Sequence, residues 1–128
     1  MKILLDTCTF VWIITDADEL STTARQLFVD PGNEIYLSIV SIWEILMKFS
    51  LGRLSLPEPP ERFIPKQRER HGIAALALEE RAPLHLYKLP SLHKDPFDRM
   101  LVCQAIQHEH TLLTPDPLTT QYPIRTVW

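Results

Sequence analysis

Apolar and polar positions alternate between two periods along this chain, and the alternation itself predicts a fold class. Lys2-Ile3-Leu4-Leu5 is a short apolar run that reads as a buried strand ending at Asp6-Thr7. A helical stretch follows around Phe10 to Ile14. Ser21-Thr22-Thr23 offers an N-cap for a helix through Phe28, which Asp30-Pro31-Gly32 stops. Glu34-Ile35-Tyr36-Leu37 reads as a second strand. Ile42, Ile45, Leu46 and Phe49 then recur at helical spacing, giving an apolar stripe that ends near Gly52. Ser41 with Glu44 three residues on fits a capping box for this helix, and Ser38 is an earlier alternative cap.

After the turn at Leu56-Pro57-Glu58-Pro59-Pro60, Glu61 to Arg70 reads as a charged helix and Ile73 to Leu76 as a third strand. Leu84 to Leu92 is irregular and broken by proline. Asp95-Pro96 starts another helix, since Asp is a favoured N-cap and Pro a favoured first residue. Its buried face is expected to include Leu101, Val102, Ala105 and Ile106. Thr111-Leu112-Leu113-Thr114 and Ile124-Arg125-Thr126-Val127 are the last two strand candidates. Strands alternating with helices predict an α/β/α sandwich around a mostly parallel sheet.

Composition adds bounds. With 128 residues, 45% hydrophobic and 23% charged, the chain is the size of one domain, 1–128, with a core of its own. No apolar run approaches the ~20 residues of a membrane span, and the N-terminal run carries Asp6 where a secretory signal would not. A soluble, cytoplasmic protein is expected. Cys8 and Cys103 are far apart and form no CxxC pattern, so both are expected free. A net charge of −3 argues against a module that holds nucleic acid by basic charge alone. It leaves open an enzyme whose carboxylates are compensated by cations.

The candidate chemistry lies in the acids. Ligands of open parallel sheets bind beyond the carboxyl ends of the strands, and Asp6 and Asp116 each follow a strand. Glu44 and Asp98, expected within the first turn or so of their helices, can join them at that edge, where helix N-termini soften the repulsion. Four carboxylates in one cleft require a cation or a raised pKa. Hard oxygen donors suit Mg²⁺ or Mn²⁺, and the scarcity of His and Cys around them makes zinc a poor fit. Such a site can activate water and offset charge developing on a phosphodiester. No G-x-S-x-G elbow or glycine-rich phosphate loop supports a serine hydrolase or a nucleotide kinase.

Each acid also has a plainer reading. Asp98 suits the third position of any helix, Asp95 is best explained as an N-cap, Glu44 can pair with Ser41 or with Lys48 at i+4, and Asp116 can be a turn residue between prolines. Asp6 has the weakest structural explanation.

Leu4-Leu5-Asp6-Thr7, Ser41-Ile42-Trp43-Glu44-Ile45, His93-Lys94-Asp95-Pro96-Phe97-Asp98-Arg99-Met100-Leu101 and Leu113-Thr114-Pro115-Asp116 occur in this order along essentially the whole chain. Together they resemble the PIN domain, and within it the VapC-type toxins of prokaryotic toxin–antitoxin pairs. The resemblance implies Mg²⁺- or Mn²⁺-dependent cleavage of RNA. Asp6, Glu44, Asp98 and Asp116 take the places of the family's metal-site acids, and Thr7 and Thr114 match hydroxyls that support them. Arg99, after the third acid, is placed to touch a phosphate or a carboxylate, and Asp95 to reach the metal through water. A homodimer and a small antitoxin that silences the enzyme are further expectations. Pro117 departs from the family pattern and bears on the pose of Asp116. Two other functions share these residues: a silent protein-binding module on the same fold, and a DNA- or structure-specific nuclease with the same acids.

Three further features carry two readings each. His108-Glu109-His110 is a solvated helix end or a metal motif, the former preferred. Arg53, Arg62, Lys66, Arg68 and Arg70 form a solvated face or a phosphate-contacting flank. Trp12 and Trp43 are core, or part of a docking surface. His93, beside the third motif, is a fourth such feature: within reach of substrate, or a loop or capping residue, the latter preferred.

Overall fold

The computed structural model describes residues 1–128. Five strands form one sheet in the order β3-β2-β1-β4-β5, and every neighbouring pair is parallel. They are β1 (Lys2–Leu5), β2 (Glu34–Ser38), β3 (Ala74–Leu76), β4 (Thr111–Leu113) and β5 (Thr126–Val127). The helices are α1 (Thr7–Thr15), α2 (Thr22–Val29), α3 (Ile39–Ser50), α4 (Pro60–Arg70) and α5 (Pro96–His108), with short 3-10 helices at Pro83–Lys88 and Thr119–Gln121.

β1 lies at the centre because its residues are apolar on both faces. Ile3, Leu4 and Leu5 have no exposed surface, as expected for a strand covered on both sides. Side chains alternate across a strand, so the core divides by parity. Ile3 and Leu5 pack with Phe10 and Ile13 of α1, Ile45 of α3 and Ile64 of α4. Leu4 packs on the other face with Leu101 and Ala105 of α5 and Val40 of α3. The three layers follow from this division.

α3 takes the earlier of its two candidate caps. Ser38, the last residue of β2, is its N-cap, and its Oγ accepts from Val40 N at 3.0 Å. The strand runs straight into the helix, so Ser41 lies inside it and no capping box forms. Glu44 is consequently the sixth helical residue, beyond the first turn. The buried face consists of Val40, Ser41, Glu44 and Ile45, while Trp43, Leu46, Met47 and Phe49 of the same helix stay exposed. Apolar spacing locates the helix correctly, but Ser41 and Glu44 share its inner face with Val40 and Ile45, and Glu44 there borders the cleft.

Other differences are local. The 3-10 helix Pro83–Lys88 covers the start of the stretch expected to be irregular, and the last strand is only two residues long. Ile106 is half-buried, whereas Leu101, Val102 and Ala105 are buried. No helix is long and apolar enough to cross a membrane. Both cysteines are free.

Candidate active site

Asp6 is the first residue after β1 and also the N-cap of α1. Its Oδ1 accepts from Thr9 N at 2.8 Å and from Cys8 Sγ at 3.3 Å. The structural role that the sequence did not suggest for Asp6 therefore exists. Its backbone N–H reaches Leu113 O of β4 at 3.3 Å, fastening the two strand ends together.

Asp116 follows β4 by three residues and lies at the same sheet edge. Three bonds set its pose: its N–H donates to Thr114 Oγ1 at 3.1 Å, its Oδ1 accepts from Leu118 N at 3.1 Å, and its Oδ2 accepts from Thr119 Oγ1 at 2.6 Å. Pro117 is accommodated inside this turn.

Asp98 is the third residue of α5, whose N-cap is Asp95. The Asp95 Oδ1 accepts from Phe97 N at 2.9 Å and Asp98 N at 3.2 Å. Asp95 is thus a cap at the mouth of the cleft, and its negative charge acts on Asp98.

These elements bring Asp6, Glu44, Asp98 and Asp116 around one cavity of about 420 Å³, with Asp95 and Lys48 beside them. Burial, and then the charges of Asp95, Glu44, Asp6 and Asp116, push Asp98 up to about 7 from 3.8. The Glu44 side chain is almost fully buried. Its Oε2 takes the Lys48 ammonium at 2.9 Å, and its Oε1 has no hydrogen-bond partner. The bond to Glu44 in turn holds Lys48 above the ordinary lysine range. Burial, and then the Asp6 charge, hold the Cys8 thiol well above its ordinary range, so it is no nucleophile.

A buried carboxylate oxygen without a donor, among acids whose charges together raise the Asp98 pKa, fits a cation-binding site. The donors are all oxygen on the four central acids, which matches hard divalent ions.

The supporting residues divide. Thr114 does bond an acid's backbone. Thr7 does not touch an acid: its hydroxyl donates to Ser41 Oγ at 3.0 Å and ties α1 to α3. Arg99 is turned away from the cleft, with Nη1 on Pro90 O at 3.0 Å and Tyr122 Oη at 3.1 Å and Nη2 on Leu86 O at 3.3 Å. Those fixed acceptors satisfy the guanidinium, so the expected contact with a carboxylate does not form.

His93 lies closer to the acids than a simple loop residue. Its Nε2 is 3.8 Å from Asp98 Oδ2 and 3.6 Å from Asp116 Oδ2, and the three side chains form a group of metal-ligand type. Thr119 is a site residue that the sequence reading misses. Its one signal is the Asp-x-x-Thr spacing from Asp116, which lets a hydroxyl fold back onto the carboxylate.

Of the basic residues between 53 and 70, Arg53 alone lines the cavity. Lys66 pairs with Glu58, and Arg68 is bound to Ile73 O. His110 is buried and packed against Tyr36, contrary to the solvated helix end expected, and burial lowers its pKa. Trp43 stays exposed, with its ring edge-on to Phe97.

Known proteins resemble this chain in sequence and in fold. Ribonuclease VapC16 of Mycobacterium tuberculosis is 35% identical over 69 residues, 54% of this chain and 48% of that one, so the alignment spans about half of either protein. Among solved structures, VapBC2 from Rickettsia felis bound to a promoter DNA fragment superposes with a TM-score of 0.75 at 16% identity, covering 99% of this chain and 98% of the other. VapBC-1 from nontypeable Haemophilus influenzae gives 0.70 at 20% identity, covering 99% and 97%. At such identities these structures show the shared fold. The family model described as PIN domain matches residues 3–120, nearly the full length, and the chain belongs to the PIN domain family.

Proposed function

We propose that this chain is a divalent-metal-dependent endoribonuclease toxin of the VapC type, acting as one nuclease domain over residues 1–128. The observation that carries the reading is the buried Glu44 Oε1 left without a donor among four converging carboxylates. The partial match to a ribonuclease supports RNA as the substrate.

Asp6, Glu44, Asp98 and Asp116 would hold Mg²⁺ or Mn²⁺. When bound, the ion supplies charge neutralisation at the phosphodiester and activation of the attacking water. The chain's own residues supply the rest. Capping α1 through Thr9 N fixes Asp6, and the Asp95 cap of α5 holds Asp98 at a helix start. The turn from Thr114 to Thr119 presents Asp116. Lys48 and Arg53 place positive charge along one wall, where an RNA phosphate can approach an otherwise negative cleft. Hydrolysis by water leaves a 5′-phosphate and a 3′-hydroxyl, with no covalent enzyme intermediate.

A cognate antitoxin and a second copy of the chain are the proposed protein partners, and the cytoplasm the proposed compartment. The VapBC assemblies among the structural relatives support the protein partners, as does the apolar surface that Trp43 and Met47 leave uncovered.

The test is cleavage of a structured RNA pool by antitoxin-free protein with Mn²⁺ or Mg²⁺, with chelator, and beside Asp98→Asn. Cleavage that requires both metal and Asp98 is expected. Folded protein that binds Mn²⁺ without cutting any RNA would favour the silent binding module, and cleavage confined to DNA the DNA-directed nuclease.

A further inference from the structure

His93, Tyr122 and Arg99 have no assigned part in the site, yet with Thr119, which bonds Asp116, they form an unbroken path into it. Arg99 Nη1 is 3.1 Å from Tyr122 Oη, and Tyr122 Oη is 3.3 Å from His93 Nδ1. His93 Nε2 is 3.4 Å from Thr119 Oγ1, and Thr119 Oγ1 is 2.6 Å from Asp116 Oδ2. Tyr122 and Thr119 are almost fully buried, and the His93 side chain nearly so.

The two ends give this path one direction. A guanidinium only donates, so the Tyr122 oxygen accepts from Arg99 and its single proton is free for His93 Nδ1. At the other end the Asp116 carboxylate accepts, so the Thr119 hydroxyl spends its proton there and its oxygen accepts from His93 Nε2. Only one neutral tautomer of His93 satisfies both: Nδ1 bare, Nε2 carrying hydrogen.

We propose that Arg99, Tyr122, His93 and Thr119 form a directed hydrogen-bond chain that holds Asp116 in place and presents an N–H, rather than a lone pair, to the cleft. His93 is then no metal ligand, although its Nε2 lies within 4 Å of two carboxylates. Those separations are too long for direct hydrogen bonds, so the coupling to Asp116 runs through Thr119. All four are positioning residues. Arg99 thereby regains a part in the site that its direction in space had denied it, acting at a distance through the tyrosine.

The assignment rests on the nuclease reading for its effect on turnover, but its central statement does not. ¹⁵N-histidine NMR of the metal-free protein, at a pH where histidine is neutral, reads the tautomer directly. The Nε2–H form is expected for His93, and a dominant Nδ1–H form overturns the proposal. Tyr122→Phe should mix the two tautomers, whereas an unchanged His93 spectrum overturns the proposal. Tyr122→Phe and Thr119→Val should each weaken Mn²⁺ binding and lower kcat about tenfold with KM unchanged, the size typical of lost partners behind a metal ligand. Thr119→Ser, which keeps the hydroxyl, should restore both. A Thr119→Val protein with wild-type Mn²⁺ affinity overturns the link to Asp116. If no RNA is cut while the tautomer and Mn²⁺ results hold, the nuclease reading fails and the chain of bonds stands.

Discussion

Lys48 places its ammonium 2.9 Å from Glu44 Oε2, one helical turn along α3, so the acidic cleft carries a cation of its own. The glutamate end of this pair is buried and the lysine end half-exposed. The pair therefore partly offsets a negative cluster while leaving the other Glu44 oxygen open.

Replacing Lys48 by Met removes that compensation and keeps the length of the aliphatic stem. The metal-free protein should lose about 1 kcal/mol, a figure near the upper range for a solvent-screened pair. Mn²⁺ affinity should rise, because lysine and metal compete for Glu44. Denaturant melts in chelator and Mn²⁺ titrations by electron paramagnetic resonance check the two halves. Unchanged metal affinity would show that Lys48 does not compete.

Asp98 yields a pH dependence. Its carboxyl titrates near 7 in the fold and near 3.8 when unfolded, so the folded state binds this proton more tightly. The stabilising contribution is fully present below about pH 4 and is lost as pH rises through about 7. Asp98→Asn, which cannot ionise, should therefore be the more stable protein above pH 7 in chelator, by about 1–2 kcal/mol after discounting for solvent screening. The advantage should vanish near pH 4. Thermal melts of both proteins across this range read the difference, and parallel curves would contradict the raised pKa.

Asp95 combines a cap with a charge, and two substitutions separate them. Asp95→Ala removes both and should cost about 1 kcal/mol through loss of the cap. Asp95→Ser keeps a capping oxygen and removes the charge. Stability should be nearly retained in the serine variant, and the Asp98 pKa should fall in both, as followed by carboxyl ¹³C NMR.

Thr7 ties α1 to α3 through Ser41 inside the protein. Thr7→Val leaves the Ser41 oxygen without its donor and should cost about 1–2 kcal/mol in a chemical melt. Thr7→Ser should behave like the parent. A valine variant of full stability would mean that the Ser41 hydroxyl finds another partner.

Much of the frame can be read along the sequence because local signals and tertiary demands agree. Ser21 and Asp95 cap the helices they precede, and the burial of β1 is visible in the run from Ile3 to Leu5, which has no polar position to give to solvent. The cap of α3 is ambiguous in sequence because Ser38 and Ser41 carry the same chemistry, and only the absence of a loop after β2 decides between them. The convergence of Asp6 and Asp116 follows from strand parallelism. The direction of Arg99 does not, because it depends on carbonyls of Leu86 and Pro90 that no side-chain pattern encodes. Tyr122 stays hidden for a related reason, since its partners Arg99 and His93 lie on other segments, while Thr119 shows only a short Asp-x-x-Thr spacing toward Asp116 and none toward His93.

Asp6 is at once the cap of α1 and a wall of the cleft, and this ties mutational history to folding. Most substitutions that would disarm the cleft at this position also release the amide of Thr9 and loosen the first turn of α1. Drift toward inactivity is therefore opposed by loss of stability even when cleavage brings no benefit. Asparagine is the exception, since it caps nearly as well as aspartate while carrying no charge. Among silenced descendants of such a chain, position 6 should turn to asparagine more often than to alanine or valine.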